Sequence, residues 1–401
     1  MSMNSTPASG RLHIGFFGRR NAGKSSLVNA FTGQSVSVVS NVAGTTTDPV
    51  KKAMELLPLG PVMIVDTPGF DDEGLLGELR IEKTKQVLAT IDIAVLVCDI
   101  QEGLKQCDNE LISIFKEKNV PYVIVYNKAD LKSEFSPESD NSICVSALNG
   151  DKIYELKEKI AHIVPVKQEA QSIVGSFLKR GEFAVLVTPI DSAAPKGRMI
   201  LPQQQVIRDV LEVGGASVTV QVDMLDKALS NLKEKAAVVI TDSQAFEAVS
   251  KITPKDIKLT SFSILMANYK GFLETAVKGV KKLDMLKDGD KVLIAEGCTH
   301  HRQCDDIGSV KLPRWIGGFT GKKLDYTIVP GHEFPEDLSP YAVVIHCGGC
   351  MITEREVKNR MEQAVKQGVA FTNYGITIAH IHGILARSLE VFPNIAKIVS
   401  Q

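Results

Sequence analysis

The eight residues GRRNAGKS (18–25) constrain the fold of this chain more than any others. An apolar run, LHIGFFG, leads into them, and an amphipathic run, SLVNAF, leads out. Apolar run, glycine-rich loop and helix form one unit, and G-x-x-x-x-G-K-S is a loop whose backbone N–H groups wrap phosphates at a helix N-terminus. Gly18, Ala22, Gly23 and Ser26 shape and line that cradle. Lys24 is placed to reach the β- and γ-phosphates, and Ser25 to ligate Mg²⁺. A strand that feeds such a helix returns as a parallel strand, so a doubly wound sheet is expected.

The following segments agree. VMIVDTPG, IAVLVCDI, PYVIVYNKAD and SICVSAL alternate with amphipathic runs such as ELRIEKTKQVLATI. That pattern reads as a parallel sheet with helices on both faces. DTPG places Asp66 near the Mg²⁺ shell and Gly69 where its N–H meets the γ-phosphate. NKAD supplies Asn127, Lys128 and Asp130, and the Asp130 carboxylate matches guanine N1–H and N2–H₂, a donor pair that adenine lacks. Ser146 and Ala147 of SAL close over the base. AGTTTDP (43–49) offers a threonine for Mg²⁺, and the spacing before Asp48 favours Thr46 over Thr45 and Thr47. GTP or GDP with Mg²⁺ is the expected ligand. Arg19 and Arg20 read as solvated.

Two further α/β blocks follow a polar linker, VPVKQEAQSIVG (164–175). The expected class is α/β with three domains: 1–165 for the nucleotide, 176–260, and 261–401. The second block holds EFAVLVTPI, ASVTVQV, AAVVITD and a strand near KLTSFSIL, with no catalytic motif, and reads as a structural or assembly domain. The third holds KVLIAEGC, DYTIVPGHE, AVVIHCGGC and VAFTNYG, four strands whose ends carry polar or metal-binding residues. Open parallel sheets bind ligands beyond their carboxyl ends.

Charge and cysteine usage narrow the classes. The chain has 401 residues with 46 basic and 47 acidic side chains, which disfavours a generally basic nucleic-acid binder. No run of 18 apolar residues appears, so no membrane span is expected. The polar start MSMNSTPASG lacks a signal-peptide core, so a cytoplasmic location is expected. In that compartment seven cysteines suggest metal or thiol chemistry. EGCTHH (296–301) and HCGGC (346–350) together read Cys298-x-His300, 45 residues, then His346-Cys347-x-x-Cys350. Three soft thiolates suit zinc or an iron–sulfur cluster. Zinc ribbons bring two C-x₂-C pairs, and here there is one. The C-x₃-C-x₂-C loop of radical enzymes that use S-adenosylmethionine is absent. Glu296, Cys298 and His300 alternate along one strand end and can face one side. Glu296 is then a labile fourth cluster ligand, with His300 and His346 as alternatives or hydrogen-bonding support. Cys98 and Cys144 read as packing residues, and Cys304, though nearer the site, reads as structural before it reads as a ligand. His13, His162, His380 and His382 read as structural, and so does His332, with lining of the cluster pocket as its lesser alternative.

Residues 11–165 resemble the subgroup of translation-factor-like GTPases that holds the tRNA-modification and ribosome-assembly GTPases. In that subgroup a hydrophobic residue follows DTPG, as Phe70 does here. Some members hold potassium beside the phosphates through a phosphate-loop asparagine, the position of Asn21. Lys24, Asn21, Thr46 and Gly69 are then the catalytic set, and slow, potassium-stimulated hydrolysis is implied. With the C-x-H…H-C-x-x-C pattern, the whole chain resembles the HydF family of [FeFe]-hydrogenase maturation GTPases. The resemblance implies a homodimer made by the middle block and a [4Fe–4S] cluster on Cys298, Cys347 and Cys350. It also implies a scaffold that carries a diiron precursor, built by two radical S-adenosylmethionine maturases, to apo-[FeFe]-hydrogenase. A GTPase that acts on tRNA or ribosomes with an accessory metal domain is the alternative.

Overall fold

A computed structural model describes residues 7–33, 50–56, 59–69, 87–132, 139–164, 172–190, 199–297 and 306–399. The chain folds as two compact units, Met1–Lys167 and Gln168–Gln401.

The first unit is built on six strands: β1 (Leu12–Gly18), β2 (Val50–Leu56), β3 (Gly60–Asp66), β4 (Ile93–Asp99), β5 (Tyr122–Asn127) and β6 (Ser142–Cys144). Their order is β2-β3-β1-β4-β5-β6, and only the β2–β3 pair is antiparallel. The alternating burial of β2 is that of an edge strand with one face on the core. β1 is buried on both faces, and its period of two splits it between two cores. Phe16 packs edge-on against Phe31 of the helix Lys24–Thr32, ring centroids 5.4 Å apart. Phe17 points the other way, onto Phe115 at 5.5 Å. The chain leaves β1 toward β3 on one side and later enters β4 on the other. The phosphate loop after β1 therefore lies at the topological switch point of the sheet.

The second unit holds two all-parallel sheets of four strands. One comprises β7 (Phe183–Val187), β8 (Ala216–Val220), β9 (Val238–Thr241) and β10 (Lys258–Ser261), in the order β10-β9-β7-β8. The other comprises β11 (Lys291–Ala295), β12 (Asp325–Val329), β13 (Tyr341–His346) and β14 (Ala370–Asn373), in the order β12-β11-β13-β14. Their apolar faces contribute to one continuous core, in which Leu186, Phe246 and Phe262 belong with Leu293, Ile345 and Phe371. The expected strand near KLTSFSIL ends at Ser261, and Phe262–Tyr269 is a helix. The Ser261 hydroxyl caps it by accepting from the Ile264 N–H at 3.3 Å. A short apolar run has no period that separates buried helix from buried strand, and here the cap decides. Among the described residues no helix is long and apolar enough to cross a membrane.

Candidate functional site

The nucleotide motifs meet at the carboxyl ends of β1, β3 and β5. Asn21 has φ 61° and Gly23 φ 82°, and both turn the loop into the helix that starts at Lys24. Asparagine tolerates that left-handed backbone well for a non-glycine residue. At Gly23 a Cβ would lie 2.3 Å from Asn127 Nδ2, so the close approach requires glycine. Asn127 donates to the Ala22 and Gly23 carbonyls at 3.1 and 3.3 Å and accepts from the Ala147 N–H at 3.0 Å. One side chain thus ties the phosphate loop, NKAD and SAL together. Lys128, at φ 65°, pairs with Asp99 at 2.7 Å. Ser146 donates to Asp130 at 2.5 Å. Gly69 lies against the phosphate loop, where a Cβ would come within 3.1 Å of the Arg20 backbone nitrogen.

The metal side of this site is half assembled by protein alone. Ser25 donates to Asp66 Oδ2 at 3.0 Å, and Lys24 Nζ stands 3.9 Å from Oδ1. Asp66 is buried and Oδ1 accepts no hydrogen bond. A buried orphan acceptor beside a serine hydroxyl suits a hydrated Mg²⁺, whose waters would donate to it. Thr46, Phe70 and the rest of 34–49 and 70–86 lie outside the described residues.

Arg19 departs from expectation. It is buried, not solvated. Nε donates to Asp108 at 3.0 Å, Nη2 to the Gly103 carbonyl at 2.9 Å, and Nη1 to Glu102. Asp108 is fully buried, so burying the guanidinium follows from the need to neutralise it. Lys105 first and Arg19 second hold Glu102 down to about 2.

The cysteine turn lies in the second unit. β11 is flanked by β12 and β13, so the switch point of that sheet falls at the carboxyl ends of β11 and β13. Glu296, Gly297 and the turn 347–350 occupy it. Cys347 N donates to the Ala295 carbonyl at 2.9 Å, extending the ladder by one residue. Its sulfur accepts from the Gly297 N–H at 3.0 Å and the Gly349 N–H at 3.3 Å. Burial pushes the Cys347 thiol up, and these two N–H groups oppose the push. Burial and then the neighbouring Cys347 push Cys350 up to about 11. A coordinated cation reverses that logic and deprotonates the thiols outright.

Charged groups surround the turn. Lys270 is buried and donates to the Ile352 carbonyl at 2.7 Å and to the Gly349 carbonyl. Burial pulls it to about 8, against the pull of Cys350 and Cys347. His346 is fully buried, with Nδ1 2.7 Å from the Cys347 carbonyl and Nε2 3.2 Å from Arg360 Nη1. Arg360 is only a donor, so Nε2 accepts and Nδ1 carries the proton. Burial first, and Arg360 second, pull His346 down to about 3. With both nitrogens engaged, His346 braces the turn through its backbone. Arg360 also donates to Glu356 at 2.5 Å and to the Gly331 carbonyl at 2.7 Å. His332 meets Glu356 from the solvent side at 3.0 Å. Glu296 is buried and takes the Tyr374 hydroxyl at 3.4 Å. A Cβ on Gly308 would lie 2.2 Å from its Oε1.

Cys298, His300 and Cys304 lie outside the described residues. Among the described residues no group of three or more His, Cys, Asp or Glu converges to hold a metal ion. The donor set that is described fits a soft thiolate-bound centre: two neighbouring cysteines, two N–H groups on one sulfur and a buried cation. Cys98 is buried, and Cys107 and Cys144 are partly exposed. His13 bonds the Thr90 and Ala8 carbonyls at 3.0 Å each, a structural role. Sequence reading missed Lys270, Glu356 and Arg360. Only the Glu356–Arg360 spacing of four on one helix signalled a pair.

Comparison with known proteins follows this division. A model of the hydrogen maturase F dimerization domain matches residues 173–271, and one of the hydrogen maturase F tetramerization domain matches 274–391. A 50S ribosome-binding GTPase model matches 13–128. The chain belongs to the hydrogen maturase F family. Its N-terminal region is the GTPase domain of that family, followed by two α/β assembly regions whose models meet next to Lys270. That region is also similar to the tRNA modification GTPase MnmE of Clostridioides difficile (strain 630), at 34% identity over 155 residues, 37% of this chain and 33% of that protein. The GTPase Der of Wolinella succinogenes is 34% identical over 172 residues, 39% of this chain and 36% of that protein. The chain thus spans about a third of the length of these curated relatives. Among solved structures, an Aquifex aeolicus Era variant bound to GDP.AlF4− aligns at 22% identity and TM-score 0.35, covering 52% of this chain and 91% of that one.

Proposed function

We propose that this hydrogen maturase F protein hydrolyses GTP and acts as an iron–sulfur scaffold. In this reading it holds a [4Fe–4S] cluster on Cys298, Cys347 and Cys350. It carries the diiron precursor of the hydrogenase H-cluster, made by two radical S-adenosylmethionine maturases, to apo-[FeFe]-hydrogenase in the cytoplasm. The observation that carries the reading is the Cys347 sulfur, half-buried at the switch point of the third sheet with two backbone N–H groups on it. When bound, the cluster offers one iron without a cysteine, where an incoming group can attach. Glu296 would be the hard, displaceable ligand of that iron. His346 holds the turn through the Cys347 carbonyl. Neither nucleic acid nor membrane has a part in this reading.

In the GTPase domain, Lys24, Ser25 and Asp66 would hold the phosphates and Mg²⁺, and Asp130 would read guanine. Asn21 would share a potassium ion with the phosphates, so potassium should speed hydrolysis more than sodium; equal rates in matched salts would remove that ion. The family's dimerization and tetramerization domains support an oligomer. β8 supports a homodimer: it is an edge strand of mainly Val and Thr without Lys or Pro to block pairing.

Anaerobic reconstitution with ferrous iron and sulfide tests the scaffold. About four irons per chain are expected, the content of one [4Fe–4S] cluster, and the cysteine variants should retain none. Stoichiometric zinc without sulfide uptake would replace this reading. A second reading, a GTPase acting on tRNA or ribosomes, draws on the 50S ribosome-binding GTPase match to 13–128. Co-purifying RNA and no iron uptake would favour it.

A further inference from the structure

Lys270 is the C-cap of the helix Phe262–Tyr269, and the chain around it is tightly determined. Gly271 follows at φ 74°. The Phe272 N–H returns to the Ala267 carbonyl at 3.0 Å and the Gly271 N–H to the Asn268 carbonyl at 2.9 Å. That pair of bonds is the Schellman ending of a helix, and the left-handed residue in it calls for glycine. Phe272 is buried edge-on against Phe371, centroids 6.0 Å apart. The backbone of Lys270 is therefore pinned from both sides. Its side chain runs inward, where an ammonium is costly unless compensated. Two carbonyls of the cysteine turn, Gly349 and Ile352, take two of its three protons. Those residues bracket Cys350.

A buried lysine that served only to tie a turn is an expensive choice, since a neutral donor satisfies carbonyls at lower desolvation cost. A positive charge is favourable if the turn carries negative charge when loaded. We infer that Lys270 is a positioning residue of the cysteine site: it clamps the Gly349–Ile352 turn and supplies the fixed positive charge that balances a thiolate-bound cluster there. It reaches the turn from the segment matched by the dimerization-domain model, across the junction at 271–274. The role rests on the scaffold reading for its charge and on geometry alone for its clamp.

Three variants of the full chain separate the two parts. Lys270→Arg keeps charge and donors, Lys270→Gln keeps a donor without charge, and Lys270→Met keeps neither. On metal-free protein, amide hydrogen exchange across 347–353 reads the clamp. Lys270→Met should speed exchange in that turn at least tenfold, and Lys270→Arg should stay near wild type. Unchanged exchange in Lys270→Met overturns the clamp. On reconstituted protein, a dithionite titration reads the charge. A nearby cation favours the more negative, reduced cluster. Lys270→Gln and Lys270→Met should therefore both shift the midpoint to more negative potential, by about a tenfold change in the reduced-to-oxidised ratio, roughly 59 mV for one electron. Lys270→Arg should restore it. A midpoint unmoved in Lys270→Gln overturns the charge role. Wild type that takes up no iron would instead sink the scaffold reading, while the exchange result still decides the clamp. If Lys270→Met does not fold, Lys270→Gln alone decides the charge role, and exchange across 347–353 in Lys270→Ala, which also lacks a donor, decides the clamp.

Discussion

The phosphate loop and the cysteine turn each lie at the switch point of a parallel sheet, yet they are built differently. The phosphate loop is made of consecutive residues whose own backbone forms the cradle, and the long-range ties of Arg19 to Asp108, Ser25 to Asp66 and Asn127 to the Ala22 and Gly23 carbonyls hold that cradle in place. The cysteine turn is short and takes its support from far along the chain: Lys270 lies 79 residues away from Gly349. Arg360 braces it through His346. A site for a flexible polyanion needs many N–H groups in a row, which a local motif supplies. A site for a compact, soft, charged centre needs few ligands but a controlled dielectric and fixed counter-charge, which only the fold supplies.

The largest effect should fall on the ligands themselves. Cys347→Ser should lose stable iron binding altogether and leave GTP affinity within twofold, as read by iron analysis and by fluorescent nucleotide titration on one preparation. Loss of both together would mean that the two sites are not separable in this way. Next come the buried ion pairs, one per region. Asp108→Ala leaves Arg19 with only the half-exposed Glu102 as its acid partner, and Arg360→Met leaves Glu356 with only His332. Each should cost about 3 kcal/mol, the low end for breaking a buried pair, because a weaker partner remains. Urea unfolding followed by Trp315, the single tryptophan and in the second unit, should register Arg360→Met and not Asp108→Ala. Asp130→Asn should then weaken GTP by about 3 kcal/mol, roughly a hundredfold, through two lost charge-assisted bonds, and favour xanthosine triphosphate. Unchanged base selectivity would move guanine recognition elsewhere.

The same contrast explains what could be read in advance. GRRNAGKS, DTPG and NKAD are local, and their order alone implies the sheet that carries them. The strands of the second unit were legible as apolar runs, because parallel strands are buried on both faces. The helix Phe262–Tyr269 was not, since it is apolar all round and only the Ser261 cap marks its start. Arg19 looked solvated because nothing within the loop needs it, and its partners Glu102 and Asp108 come from after β4. Lys270 was illegible for the same reason. A lone lysine after a helix is ordinary in sequence, and its meaning lies in which carbonyls the fold brings to it.

The smallest effect concerns the second partner of Arg19. The Glu102 side chain is 49% exposed, whereas Asp108 is fully covered. Solvent screens the exposed pair, so Glu102→Gln should change nucleotide affinity by less than twofold and the melting temperature of the GTPase domain only slightly. The sign of its pH dependence is nevertheless fixed. Lys105 and Arg19 hold Glu102 near 2 in the folded chain, below the ordinary glutamate value of 4.5. Between those values the unfolded chain binds more protons than the folded one, so stability rises with pH there. The contribution of Glu102 is complete above about pH 4.5 and fades as pH falls toward 2. Glu102→Gln lacks it at every pH. Melting curves of the two proteins should therefore differ slightly at neutral pH and converge in acid. A difference that grows on acidification would mean that Glu102 is protonated in the folded state and holds Arg19 as a neutral acceptor. The ion pair would then reduce to Asp108 alone, and the buried guanidinium would rest on one charged partner, as the buried Lys270 ammonium rests on the carbonyls of the cysteine turn.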